Sequence, residues 1–238
     1  MSKIFKQWLR DSIPDGVKKF VGYSEEVEYG TVSFSQFGED MVLRNFFPNK
    51  VDGFYIDVGA HHPIKFSNTY FFYKRGWSGI CIDPLPGIEK DFIRLRPRDR
   101  FLNVGLSDQP GKAEYHVFKN PLENTFSPAL ASEVNISYNP LIQIQQVTVA
   151  RLDRILDESV SGDTRIDFMT IDAEGFDLKV LMSNNWSRYR PKYVLVEDFI
   201  FDFEHPAKSS IAQFLTSINY RIVAVVNKSF FWICNNTN

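Results

Sequence analysis

Gly53-Phe-Tyr-Ile-Asp-Val-Gly-Ala-His-His-Pro63 is the stretch that decides the fold. Phe54–Val58 is apolar and β-favouring with little strict alternation, as expected of a strand buried on both faces of a parallel sheet. Asp57 stands at its carboxyl end, and the small residues Gly59 and Ala60 follow. Small residues there let main chain approach a ligand. In open α/β sheets the end of the first strand is where a nucleotide-like cofactor rests. Asp57, Gly59 and Ala60 are therefore expected to touch such a cofactor. Trp77–Asp83 reads as a second strand, stopped by Pro84. Asp83 follows Asp57 at the interval where an acidic strand end binds a ribose. A carboxylate suits that task because it accepts both ribose hydroxyl protons. The competing reading of Asp83 is a cap for the next helix.

Working outward, Ser35–Phe47 reads as a helix with Ser35 as N-cap and Glu39 and Asp40 in its first turn, ended by Pro48. Ser67 caps an expected helix over Asn68–Arg75, with Gly76 just past its end. Ile88–Arg96 is a helix and Phe101–Leu106 a third strand. Asp108 can accept from an adenine amino group, with Ser107 lining the same pocket. A plain Ser-Asp turn fits these two equally well. Lys112–Phe118 and Gln143–Val149 alternate and form a small β insertion. The span between them, Asn120–Pro140, reads as a long loop and a candidate acceptor-side lid. Asp167–Asp172 and Pro191–Glu197 are further core strands, followed by helices at Leu178–Met182 and Ile211–Ile218 respectively. Arg221–Val226 and Phe230–Cys234 close the chain as a hairpin whose last strand is antiparallel to the others.

This order predicts an α/β fold: a doubly wound, mostly parallel, seven-stranded Rossmann-like sheet with a C-terminal antiparallel hairpin and a small β insertion. Its 238 residues suit one domain with additions, 34–238, preceded by a helical extension and linker over 1–33. Met1–Val21 spaces Ile4, Phe5, Trp8, Leu9 and Ile13 among basic residues in a roughly helical pattern. A helix packed over the domain, an oligomer contact and a membrane-surface helix are its readings. The formal net charge of -2 gives no nucleic-acid footprint. No apolar run approaches a membrane span. No secretory signal is legible, so a cytoplasmic protein is expected. Cys81 and Cys234 lie in apolar runs and read as small buried hydrophobes.

Strand–helix alternation ending in an antiparallel hairpin is the class I methyltransferase arrangement. Seven runs in order resemble the FkbM family of methyltransferases: Ser35–Asp40, Tyr55–Ala60, Ser67–Thr69, Gly76–Ile80 with Asp83-Pro84, Leu152–Leu156, Ile171–Asp177 and Arg190–Lys192 through Glu197. The resemblance spans roughly Ser35 to Val226. It implies S-adenosylmethionine as methyl donor and O-methylation of a hydroxyl, usually on a sugar of a glycan or on a natural product. It also marks Gln36 and Asn68, inside the first and third runs, as cofactor contacts. Family members often carry Asn where His61 stands and Glu where Asp83 stands; the second exchange keeps the ribose chemistry. The Gly-x-Gly-x-x-Gly dinucleotide fingerprint is absent, which argues against a nucleotide-sugar oxidoreductase or epimerase. A non-catalytic S-adenosylmethionine-binding module is the other alternative, against which the retained strand-end acids count.

A sugar hydroxyl is a poor nucleophile and needs a base or a metal. Asp172 and Glu174 from one strand end, and Glu197 and Asp198 from the next, are the candidates. Asp172 can accept from the cofactor amine while Glu174 or Glu197 acts as base. Equally, the acidic clusters can hold Mg²⁺ through oxygen ligands. His205 and His61 are reserve bases by their intrinsic pKa. Capping of the helix after Glu174 is compatible with each of these roles.

Overall fold

The computed structural model describes residues 30–137, 139–162 and 164–235. The chain divides into two units, Met1–Ser33 and Phe34–Asn238. The helix expected over Met1–Val21 lies outside the described residues. In chain order the strands of the second unit are β1 (Phe54–Val58), β2 (Ser78–Ile82), β3 (Arg100–Leu102), β4 (Gly105–Leu106), β5 (Gly111–Phe118), β6 (Leu141–Ala150), β7 (Phe168–Ile171), β8 (Tyr193–Glu197), β9 (Tyr220–Val226) and β10 (Ser229–Cys234). Its helices are α1 (Glu39–Phe46), α2 (Tyr70–Lys74), α3 (Glu89–Leu95), α4 (Pro128–Ser137), α5 (Leu152–Ser159), α6 (Asp177–Met182) and α7 (Ser210–Ser217).

The main sheet has the order β3-β2-β1-β7-β8-β10-β9. β1 pairs in parallel with β2 and β7, and β7 with β8. β10 runs antiparallel to both of its neighbours, β8 and β9. Side chains alternate across the strands and so serve two cores. Ile56, Val58, Met169 and Val194 pack on one face with Leu152, Val180 and Leu215 from α5, α6 and α7. Tyr55, Cys81, Phe168 and Leu195 pack on the other with Leu43, Phe72 and Phe92 from α1, α2 and α3. Helices thus cover both faces, which explains why the central strands read as near-continuous apolar runs. The second core is aromatic: Phe47, Phe72, Trp77 and Phe168 interlock with ring centroids 4.9 to 6.0 Å apart. Burying such a side chain contributes about 1.5–3 kcal/mol. Both cysteines are buried.

Four local expectations are corrected. The expected third strand breaks after Leu102. Asn103 donates Nδ2 to the carbonyls of Asp83 and Leu85, turning the chain out of the sheet. Gly105–Leu106 then pairs with β6 in a separate sheet of order β4-β6-β5. Asn120–Pro140 is not one loop: it contains a 3₁₀ turn at Pro121–Glu123 and the helix α4. Both prolines stand at a first helical position, where the missing N–H costs nothing. Ser35 is not the N-cap of α1; Gly38, at φ 94°, is. Ser35 still accepts the Asp40 amide from its position upstream, so its capping chemistry survives the shift. Finally, α2 begins at Tyr70, later than expected, because Ser67 Oγ takes the amides of Thr69 and Tyr70.

One buried cation ties these parts together. Arg96 is fully buried and pairs with Asp99, Nε to Oδ2 at 2.6 Å. Its Nη1 donates to Pro63 O and Ser67 Oγ, and its Nη2 to Tyr55 Oη and Thr69 Oγ1. Thr69 in turn donates to Asp57. All five guanidinium donors are used, and they lock the turn after β1 to the start of α2.

Candidate functional site

The sheet order reverses between β1 and β7, and ligands in open α/β sheets bind outside the strand ends at such a point. A cleft enclosing about 780 Å³ of non-atom space, part of it open to solvent, lies there. Gly59 follows β1 at φ 77°. A Cβ on it would come within 1.7 Å of the Asp172 carbonyl, so glycine is required by the closeness of the two strand ends as well as by the cleft it lines.

From β2 comes Asp83, 6 % exposed. Its Oδ2 accepts the His61 amide at 2.8 Å and its Oδ1 the Leu85 amide at 2.8 Å. Burial raises its pKa to about 6 against the lowering effect of those amides. The walls beside it are aliphatic: Ile82, Leu85, Val104 and Leu106. His61 also lines the cleft, and burial followed by the charge of His62 lowers its pKa, favouring neutral imidazole.

From β7 comes Asp172, then the turn Ala173-Glu174-Gly175. Asp177 builds that turn by accepting the amides of Ala173 and Gly175 in its two carboxylate oxygens. Glu174 is thereby held at φ 45°, a strained conformation for a residue with a Cβ. Glu197 arrives from the end of β8. One carboxylate oxygen from each of Asp172, Glu174 and Glu197 lies within 4.8 Å of the others. No ion pair to these three acids is formed among the described residues. Asp172 Oδ1 is buried with no hydrogen-bond partner.

Three buried, clustered carboxyls with no ion-pair partner among the described residues hold protons, through burial first and mutual repulsion second. Burial, then Glu197, pushes Asp172 well up. Burial, then Asp172, takes Glu174 to about 9. Burial, then Glu174, takes Glu197 to about 8. Because these pKa values exceed those of the unfolded chain, their contribution to stability is full below about pH 4.5 and is lost as pH rises through 8 and 9. Urea unfolding across that range should show the ligand-free protein weakening with rising pH. The slope should be shallower in Glu174→Gln/Glu197→Gln. Equal slopes would mean these carboxyls do not carry the effect.

A smaller polar cavity sits beside the cleft, lined by Gln36, Glu39, Asn68, Thr170, Asp172 and Glu197. Gln36 and Asp172 line both cavities. Asn68 Nδ2 donates to Thr170 Oγ1 at 3.0 Å. Glu39 Oε1 accepts from Ser229 Oγ at 3.3 Å, at the start of β10.

Of the residues singled out from the sequence, Gln36, Gly59, His61, Asn68, Asp83, Asp172, Glu174 and Glu197 are gathered at these two cavities. The others lie elsewhere. Asp57 is buried against Thr69 beneath the turn. Ala60 is buried, its amide on Ile82 O. Ser107 donates to its neighbour Asp108 at 3.1 Å, and the Asp108 carbonyl accepts from Arg151. Asp198 accepts from Ser209, the N-cap of α7. His205 is exposed and sits 2.9 Å from Asp202 in a surface trio with Glu204. The second cavity adds Glu39 and Thr170, and the insertion adds Tyr115, Asn124 and Phe126 to the cleft.

No helix among the described residues is long and apolar enough to cross a membrane. No curated protein matches the chain. The family model for the methyltransferase FkbM domain matches residues 57–222, more than half of the chain, and that span contains both the sheet reversal and the carboxyl cluster.

Proposed function

The chain belongs to the FkbM methyltransferase family, and from that premise we propose an S-adenosylmethionine-dependent O-methyltransferase that acts on a hydroxyl of a small-molecule acceptor, foremost a sugar of a glycan or glycosylated natural product. The observation that supports it most is the pairing of chemistries along one cleft. A ribose-type carboxylate with aliphatic walls lines the cleft, and three clustered carboxyls, with no ion-pair partner among the described residues, stand where it meets the second cavity.

The donor set fits this cofactor. Asp83 would hold the ribose, and the apolar side chains around it would flank the adenine. The unpartnered Oδ1 of Asp172 would accept from the ammonium of the methionine end. When bound, S-adenosylmethionine supplies an electrophilic methyl on a positively charged sulfur. Beside such a cation the clustered carboxyls would release to solvent the protons that burial and then mutual repulsion retain. Glu174, which lines the cleft itself, then takes the proton of the acceptor hydroxyl, with Glu197 behind it. Alignment of the acceptor against the methyl supplies the remainder of the acceleration. The same three carboxyls are oxygen ligands suited to Mg²⁺, the alternative means of activating the hydroxyl.

S-Adenosylhomocysteine should raise the melting temperature, adding about 2.7 kcal/mol at a hundredfold excess over Kd, and NAD should not. Labelled S-adenosylmethionine should then pass its methyl to one of a panel of glycans, nucleotide sugars and natural-product alcohols. Transfer lost in EDTA and restored by Mg²⁺ would make the carboxyls ligands instead of bases. A melt unmoved by S-adenosylhomocysteine would overturn the cofactor assignment.

A further inference from the structure

Two side chains of the insertion reach into the cleft and have no part in the methyl-transfer chemistry. Asn124 is 6 % exposed and Tyr115 5 %, and both line the cleft with Asp83, Val104 and Leu106. Asn124 Oδ1 accepts the Phe118 amide at 2.8 Å. That bond fixes which end of the amide is which, because a flipped side chain would set two donors against each other. The opposite end, Nδ2, is buried beside the Tyr115 hydroxyl and falls short of hydrogen-bond geometry with it. A buried donor left unpaired is a costly feature that calls for a ligand.

The segment carrying Asn124 is held rigidly. The amides and carbonyls of His116 and Thr125 pair with each other, and Thr125 Oγ1 donates to the Glu174 carbonyl at 2.6 Å. Tyr115 packs against Phe126 with centroids 4.8 Å apart and the rings tilted by 43°. The Thr125 bond ties the insertion to the Glu174 turn beside the cleft.

We propose that Asn124 and Tyr115 are cofactor-binding residues: the insertion covers the nucleoside, and the Asn124 amide and Tyr115 hydroxyl donate to its ribose oxygens while Asp83 receives the hydroxyl protons. This rests on S-adenosylmethionine being the cofactor. A ribose needs donors as well as an acceptor, and Asp83 can only accept when ionised. The neighbourhood assigns the pair to the nucleoside rather than to the acceptor. After burial itself, Asp83 is the strongest influence holding the Tyr115 phenol protonated, ahead of Glu174, while the Asn124 amide works the other way. The four aliphatic side chains line the same cleft.

The test is calorimetric titration of S-adenosylhomocysteine into the full chain and two variants. Asn124→Asp keeps an oxygen that accepts from Phe118, removes the amide donor and puts an acidic group in its place. Tyr115→Phe keeps the ring on Phe126 and removes only the hydroxyl. Each should weaken binding about tenfold, the scale of one buried hydrogen bond, with the ligand-free melting temperature of Tyr115→Phe unchanged. Affinity within twofold of the parent in both variants would overturn the inference and leave the proposed function standing. Absence of binding to the parent protein would instead overturn the cofactor assignment, and this inference with it.

Discussion

Arg96→Met should cost the domain about 3–5 kcal/mol in urea unfolding, the range seen when one partner of a buried ion pair is removed. The side chains of Asp99 and Arg96 are both fully inaccessible, so water is poorly placed to replace the guanidinium once it is gone. Asp57 is stranded as well. Burial already raises the pKa of both carboxyls, and Arg96 is the largest influence holding each down. Without it they take up protons more readily, so the gap between parent and variant should narrow as pH falls. Arg96→Lys should recover only part of the loss, because an ammonium has three donors and no fork to span Pro63, Ser67, Tyr55 and Thr69. A loss below about 1 kcal/mol in Arg96→Met would mean the cluster reorganises freely, contrary to the expectation for buried charge.

Glu174→Gln should lower methyl transfer by about 10²–10⁴-fold, the usual worth of a positioned general base. Binding of S-adenosylhomocysteine should stay within a few-fold of the parent, since this side chain is assigned to the acceptor. Glu197→Gln should have a smaller effect. It lines the second cavity, not the cleft, and its own carboxyl is held protonated by burial and then by the charge of Glu174. The measurement is kcat for the acceptor found by screening, at saturating cofactor. Full turnover in both variants would remove the base from the mechanism and leave metal activation to be tested. Glu174 also sits at positive φ, so Glu174→Gly is a useful companion. It relieves the backbone while deleting the carboxyl, and should separate strain from chemistry.

Much of this architecture is legible in the residues because the central strands are buried on both faces. Phe54–Val58 and Tyr193–Glu197 match their expected spans closely. Periodicity works there because one periodic signal governs every position. It fails where a side chain redirects the main chain. Asn103 ends a strand by capturing two carbonyls, and no composition rule marks it. Pro121 and Pro128 read as loop signals, yet each opens a helical turn.

The site divides the same way. Asp83, Asp172, Glu174 and Glu197 stand at strand ends, so the strand pattern alone brings them to one edge. Asp57 is also near a strand end, but its side chain faces Thr69 and the arginine cluster, a direction that only the long-range contact from Arg96 reveals. Tyr115 and Asn124 are hidden in an alternating strand and an apparent loop. Their one available signal is the length of that loop inside a compact domain.

β10, latest in sequence among the described strands, lies between β8 and β9 rather than at an edge. During synthesis the sheet therefore has a vacancy: β8 presents an unpaired rim until Ser229–Cys234 has emerged and threaded beside it. An open, apolar strand rim is the feature that recruits other chains. Ser229 is also the residue that meets Glu39 at the second cavity. Nascent chains stalled before residue 229 should then lack both a closed sheet and a finished site, and depend on chaperones until the final strand is in place.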